Sequence, residues 1–261
     1  GQVTGFEAME VGIERARRQG VAIVALRNSH HIGRIGHWAE QCAASGLASI
    51  HFVNIIGLPP IVAPYAGRDA RLHTNPFAIG LPRKDKPPLI LDFATSRSAQ
   101  GKMRIAMNKG VAAPPGYLID AAGEPSTDPR VVYDAPLGAL LPFGDHKGAG
   151  LGLMCDLLAG ALSGAGTLHE GKLEDGLCLN NLLSLIFDPE RLGGAATWRD
   201  EVEAGLGFVK ASPERVRGNP VLAPGEIELV TRAERERDGI PIDATTWRLI
   251  REAAAAAGAP I

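Results

Sequence analysis

The sequence predicts an α/β protein, a sheet covered by helices. Three observations carry that expectation. Helix and strand patterns alternate through the first 55 or so residues, the grammar of such a sheet. The short runs "FAIGLP", "LILDFA" and "LLSLIFDP" have the length and content of strands. Residues 148–163, "GAGLGLMCDLLAGALS", read as a helix that is apolar almost all round.

The elements follow in order. Phe6, Met9, Val11, Ile13 and Ala16 set a helical rhythm over residues 6–19, ended by Gly20. "VAIVAL", residues 21–26, is a short strand rich in Val and Ile. A second helix covers residues 34–45 and closes at Gly46, and "LASIHFVN" follows as a strand. Pro59, Pro60 and Pro64 break the next stretch into loop. "FAIGLP" and "LILDFA" are the next strands, the second so apolar that it is expected at the centre of the sheet. "AAPPGYLIDAAGEPSTDP" is loop, with a short strand at most around Tyr117. Its all-round apolarity predicts that the helix over residues 148–163 is buried. Residues 198–209 and 244–257 are expected as helices and "EIELV" as a late strand.

Composition bounds the function. The chain has 261 residues, 45% hydrophobic and 21% charged, an ordinary globular balance that can bury one large or two modest cores. A net charge of -2 and a pI of about 6.4 offer no basic field for nucleic acid or an anionic membrane. No apolar run reaches the roughly 20 residues that span a bilayer, and no signal-peptide pattern opens the chain. Cys42, Cys155 and Cys178 are odd in number and far apart, which predicts buried thiols in a cytoplasmic protein and no disulfide framework. Helical rhythm begins almost at once and there is no initiator methionine, so the chain is expected to begin inside a longer protein.

The chemistry centres on "RNSHHIGRIGHW", where three of the seven histidines fall within eight residues. His30, His31 and His37 lack the one-face i,i+4 spacing of a helical zinc pair and have no neighbouring carboxylate or cysteine, so no metal is expected. No Gly-x-Ser-x-Gly supports nucleophilic hydrolysis. For His30 and His37 a packed or solvated ring is the simpler reading. The dinucleotide fingerprint Gly-x-Gly-x-x-Gly is missing: Gly148-Ala149-Gly150-Leu151-Gly152-Leu153 has its third glycine misplaced and no clear strand before it. "PFGDHKGAGLGL" still combines glycines, a helix start and the charge of Lys147. That set suits a phosphate or carboxylate, and equally a glycine-rich turn packing helix on sheet.

Seven stretches in order, "SHHIGRIG", "HTNPFAIGLP", "LILDFATS", "AQGK", "DAAGEPSTDP", "LLPFGDHKGAGLGL" and "LAPGE", resemble the malate/L-lactate dehydrogenase family, the sulfolactate dehydrogenase-like, non-Rossmann NAD(P)-dependent oxidoreductases. Any one of them is a weak signal; seven at matching spacing, from Gly1 to about Glu228, are specific. "HIGRIG", "RLHTNPFAIGLPR" and "NNLLSLIFDPERLGG" are most similar to its hydroxycarboxylate dehydrogenase branch. The resemblance implies a three-layer α/β/α sandwich with a mixed sheet, a homodimer, and NAD or NADP bound without the usual fingerprint. It implies one catalytic unit over residues 1–261, with a cofactor-binding core at 60–230, that interconverts 2-hydroxy and 2-oxo acids. The proton-transfer histidine of the family falls on His31, which has the family's His-x-Gly spacing to Gly33. Asp92, Phe93, Ala94 and Thr95 match the cofactor-contacting strand end, with Ser96 beyond them. Lys147, Gly225 and Glu226 match further cofactor contacts, and Thr74 and Asn75 match the substrate side. Asp92 would equally cap the turn after its strand, and Asn75-Pro76 is an ordinary turn signal.

Two departures stand out. Family members carry an N-terminal segment with a Ser-His-Gly motif and a carboxylate-binding arginine, and this sequence starts downstream of both, leaving Arg34 as a candidate stand-in clamp; His37 stands where many members have an aromatic residue. Alternative readings are a cyclic imino acid reductase of the same fold and a nucleotide-binding relative without turnover.

Overall fold

The computed structural model describes residues 1–170 and 176–259. The elements in chain order are α1 (Gln2–Gln19), β1 (Val21–His30), α2 (Gly36–Ala44), β2 (Ala48–Ile56), β3 (Phe77–Leu81), β4 (Leu89–Phe93), α3 (Gln100–Lys109), β5 (Leu118–Ile119), β6 (Pro125–Ser126) and β7 (Ala139–Leu140). Then come α4 (His146–Cys155), a π-helical continuation (Asp156–Ala161), β8 (Leu179–Phe187), α5 (Glu190–Gly193), α6 (Ala195–Lys210), α7 (Glu226–Asp238) and α8 (Ala244–Ala256). They form two compact units. Unit 1 comprises Gly1–Pro59, Asn75–Phe93 and Leu153–Val230; unit 2 comprises Pro60–Thr74, Ala94–Gly152 and Thr231–Ile261.

Unit 1 is built on a five-stranded sheet in the order β1-β8-β2-β3-β4. Strand alternation divides its faces. Val53, Leu182 and Ile186 point to one side, where they pack with Met9 and Ile13 of α1 and Trp38 and Cys42 of α2. Asn54 and Asn181 point to the other side, where the π-helical segment lies. The unit is thus α/β/α in section. Glycines set the approach of α1: a Cβ on Gly5 would sit 2.6 Å from the Trp38 ring, and one on Gly12 2.6 Å from Ile186. Burying a large apolar side chain such as Trp38 or Met9 contributes about 1.5–3 kcal/mol, so this contact stabilises the layer above the sheet. Burial also raises the thiols of Cys42 to about 11 and Cys155 to about 12, and both cysteines are free.

Unit 2 holds the small sheet β6-β5-β7. Val62 bridges to Leu72 and Leu140, and these join Met103, Leu118 and Val132 in its core. Asp243 caps α8 by accepting from Thr246 N–H at 2.9 Å, and the Thr246 hydroxyl accepts from Asn108 of α3 at 3.2 Å.

The α/β class stands, with corrections within it. The strands of both sheets pair antiparallel, and among the described residues the parallel pairing is one isolated bridge, Val62 with Leu140. "LILDFA" forms β4, an edge strand rather than a central one, with Leu91 37% exposed. "EIELV" opens helix α7 instead of forming a strand: Ala223–Glu226 is a turn with Pro224 and Gly225 (φ 93°) at its centre, closed by Glu226, whose carboxylate accepts from Ala223 N–H at 2.8 Å, and α7 starts directly from it. The helix over residues 148–163 is not wholly buried, since Leu153, Met154, Leu157 and Leu162 are exposed. Among the described residues no helix is long and apolar enough to cross a membrane.

Candidate active site

The histidine-rich stretch begins as strand and ends as loop. β1 extends to His30, past the "VAIVAL" run, and carries a bulge where Leu26 pairs with Leu182 but Ser29 pairs with Asn180. Arg27 and Asn28 therefore both face the single residue Asn181, and Asn28 takes φ 53°, a left-handed conformation that asparagine tolerates. Beyond the strand, buried Ile32 and Ile35 pin the loop to the core. His31 is exposed between two buried residues, Ser29 and Ile32.

The three rings differ. Nδ1 of His31 accepts from Gly33 N–H at 3.0 Å, where Gly33 has φ 80°. That bond fixes the neutral tautomer, with the proton on Nε2. His30 Nδ1 accepts from His31 N–H at 2.9 Å, which turns this ring to bracing the backbone. His37 lies edge-on to Trp38 with ring centroids 4.9 Å apart. A cleft of about 580 Å³ opens beside the loop, with Val3, Phe6, Ile32 and Trp38 as apolar walls and Arg34 and His37 as polar ones. Trp38 Nε1 and Ser29 Oγ are buried with no hydrogen-bond partner among the described residues.

Arg34 is already engaged. Its guanidinium lies 2.6 Å from Glu40 and 3.9 Å from Asp92, which opposes a role as a free carboxylate clamp. Asp92 accepts from Gly36 N–H at 2.8 Å, so it caps the start of α2 rather than the turn after its own strand. A Cβ on Gly36 would sit 2.7 Å from Asp92 Oδ2; only glycine permits this approach. Burial raises the Asp92 carboxyl, against the opposing pull of Gly36 N–H and Arg34. Phe93 continues a ring cluster with Phe77 and Phe52. Asn75 is fully buried at φ 23°. Gly225, at φ 93°, lies in a turn docked on β4, where Ile90 N–H donates to Pro224 O at 3.3 Å. The Glu226 carboxylate, besides closing the Ala223–Glu226 turn, faces Lys210 at 2.5 Å.

Unit 2 carries the other expected residues. Thr95 donates to Thr74 O from both N–H (2.8 Å) and Oγ1 (3.0 Å), joining these two candidates, and Ala94 precedes them at the strand end. A Cβ on Gly152 would lie 2.9 Å from Thr95 Oγ1, so α4 packs on Thr95 through a glycine. Gly148 serves the turn: its N–H donates to Phe143 O at 2.9 Å, and a Cβ there would lie 2.1 Å from the same oxygen. The packing role of this glycine is therefore plain. Lys147 is exposed and makes no ion pair among the described residues, so its ammonium is the group at this helix start that is available to an anion.

The residues fit a nicotinamide nucleotide. Taken by itself, unit 1 has an apolar cleft beside the His31 loop that suits a flat ring; taken by itself, unit 2 has the exposed Lys147 at a helix start, which suits a phosphate. The sequence reading missed the buried amides Asn54, Asn180 and Asn181. The signal was there: "LNNLL" places two polar residues in an apolar strand, and buried amides require partners.

Known proteins bear on this arrangement. The family model described as malate/L-lactate dehydrogenase matches residues 1–251. Hydroxycarboxylate dehydrogenase B of Escherichia coli is 52% identical over 262 residues, covering 100% of this chain and 72% of that protein. L-lactate dehydrogenase of Cupriavidus necator is 42% identical, covering 95% and 71% respectively. The solved structure of sulfolactate dehydrogenase from Methanocaldococcus jannaschii matches with TM-score 0.81 at 33% identity, over 100% of this chain and 74% of its own.

Proposed function

The chain belongs to the malate/L-lactate dehydrogenase family, and from that premise we propose that it interconverts 2-hydroxycarboxylates and 2-oxocarboxylates with NAD or NADP, using His31 to move the proton. The observation that carries this reading is the exposed His31 ring, whose Nδ1 is held by Gly33 N–H.

When bound, the nicotinamide supplies or accepts the hydride. The chain's own part is to bind, to orient and to move a proton. In the resting neutral ring the proton is on Nε2, ready to donate a hydrogen bond to the oxygen of a 2-oxo acid. To give up the Nε2 proton the ring first takes a second proton at Nδ1 from solvent, which displaces Gly33 N–H; the imidazolium then protonates the oxygen through Nε2 and is left neutral with its remaining proton on Nδ1. The Gly33 bond thus belongs to the resting ring and opens as the proton passes. Oxidation runs the same steps in reverse: the neutral ring with its proton on Nδ1 takes the hydroxyl proton at Nε2, and loss of the Nδ1 proton to solvent restores the Gly33 bond.

Lys147 holds a cofactor phosphate, and Asp92, Phe93, Ala94, Thr95, Gly225 and Glu226 shape the backbone around the cofactor. Asp92 acts by fixing the start of α2, and Glu226 by closing its turn. Thr74 and Asn75 line the substrate; a buried asparagine in the left-handed region is the kind of strain that functional sites hold. The names of the relatives support this substrate class. The working form is a homodimer. Supporting that are Leu153, Met154 and Leu162 of one helical stretch, all exposed in the single chain. Three free cysteines suit the reducing cytoplasm.

The test is nicotinamide absorbance across a panel of 2-oxo acids with NADH and with NADPH. Turnover on at least one 2-oxo acid is expected; cofactor binding without turnover on any of them would reject the enzyme reading.

A further inference from the structure

Asn180 and Asn181 open β8 opposite the bulge in β1, where ordinary ladder bonds are lost. Their side chains take over that role. Asn28 N–H donates to Asn181 Oδ1 at 2.7 Å, and Ile32 N–H donates to Asn180 Oδ1 at 3.0 Å. The two clamped N–H groups bracket His31, three residues after one and one residue before the other.

The clamp has a fixed polarity. Asn54, on the neighbouring strand, donates from Nδ2 to Asp156 Oδ1 at 3.0 Å and to Gly166 O at 3.2 Å. Its Oδ1 must then face Asn181, which donates from Nδ2 at 2.8 Å. That leaves Asn181 Oδ1 as the atom presented to Asn28 N–H. Asn180 Nδ2 meanwhile donates to Asn54 O at 3.3 Å. Asp156 is held in turn by Leu168 N–H at 3.2 Å. A flipped amide anywhere in the row would set donor against donor or acceptor against acceptor, so the orientation at Asp156 dictates the orientation at Asn28. Asn54, Asn180, Asn181 and Asp156 are all at least 97% buried, where water cannot replace a lost hydrogen-bond partner. These groups fix a conformation; they do not merely tolerate one.

We propose that Asn180 and Asn181 are positioning residues for His31, holding the backbone on either side of it, Asn181 through an amide relay that starts at Asp156 and Asn180 through its anchor on Asn54 O. The proposal rests on the reading of His31 as the proton-transfer residue and adds how its loop is set. Misplacing a catalytic group by about 1 Å costs on the order of 100-fold in rate.

Asn181→Ala, Asn180→Ala, His31→Asn and the double variant His31→Asn with Asn181→Ala are compared in the full chain. Asn181→Ala should lower kcat by roughly 10- to 100-fold, leave cofactor Kd unchanged, and raise amide hydrogen exchange at Asn28. Asn180→Ala should raise exchange at Ile32. Because Asn181 acts through His31, the double variant should be no slower than His31→Asn alone. Asn180→Ala leaves the Asn54–Asp156 contact in place and keeps the test available if Asn181→Ala does not fold. Wild-type kcat in both asparagine variants, with His31→Asn inactive, would overturn the relay alone. A further, additive loss in the double variant would make the amides merely structural and also overturn it. Wild-type turnover in His31→Asn would overturn the reading of His31, and the relay's purpose with it.

Discussion

Two histidines of unit 1 stand at opposite extremes of exposure. His31 is exposed on a loop, and only Nδ1 of its ring is fixed by the backbone. His51 is fully buried, its ring between Ser184 at 2.7 Å and Ser49 at 2.9 Å, and burial lowers its pKa to about 3. The unfolded chain binds a proton at His51 below about pH 6.5, and the folded chain refuses it until about pH 3. The stabilisation is therefore complete above pH 6.5 and drains away as pH falls towards 3, at about 1.4 kcal/mol per pKa unit. His51→Gln should flatten that acid loss, measured as urea unfolding free energy at a series of pH values; an unchanged slope would contradict it. Neither environment was legible residue by residue. "LASIHFVN" gives a strand but not which face of it is sealed, and "SHHIG" gives three candidate rings but not which of them the backbone braces.

Elements were legible where their period was long. α1, α6 and α8 follow from sustained helical rhythm, and β2 and β8 from apolar runs. Short windows failed: "EIELV" alternates like a strand, but its helical signal is the Ala-Pro-Gly-Glu start and the charged run after it. β4 is apolar yet lies at the sheet edge, because strand order is set by pairing between distant segments that no local pattern reports. The start of α4 separates two roles the sequence left open. Gly148 is required by the Phe143 turn, while Lys147 is free to meet an anion. Lys147→Ala should raise cofactor Kd by about 10- to 100-fold, the loss of a bond to a charged group worth about 1.5–3 kcal/mol, with kcat nearly unchanged. Fluorescence titration with NADH or NADPH checks this, and an unchanged Kd would remove Lys147 from the cofactor site.

For the whole molecule, the α/β class and the family were readable because seven motifs kept their order. Two properties were not. The division into two units depends on Pro60–Thr74 joining Ala94–Gly152, a choice made by packing between distant segments. The antiparallel pairing depends on β8, late in the chain, inserting between β1 and β2. The same insertion brings Asn180 and Asn181 to the bulge in β1, so the setting of the candidate site is a property of the topology rather than of the histidine motif. The central claim is that His31 moves the proton. The most direct measurement is kcat for 2-oxo acid reduction by His31→Asn, alongside cofactor Kd. A loss of about 10²–10⁴-fold is expected, with cofactor Kd near wild type. Retention of most activity in His31→Asn, with that activity lost instead in His30→Asn or His37→Asn, would contradict the account.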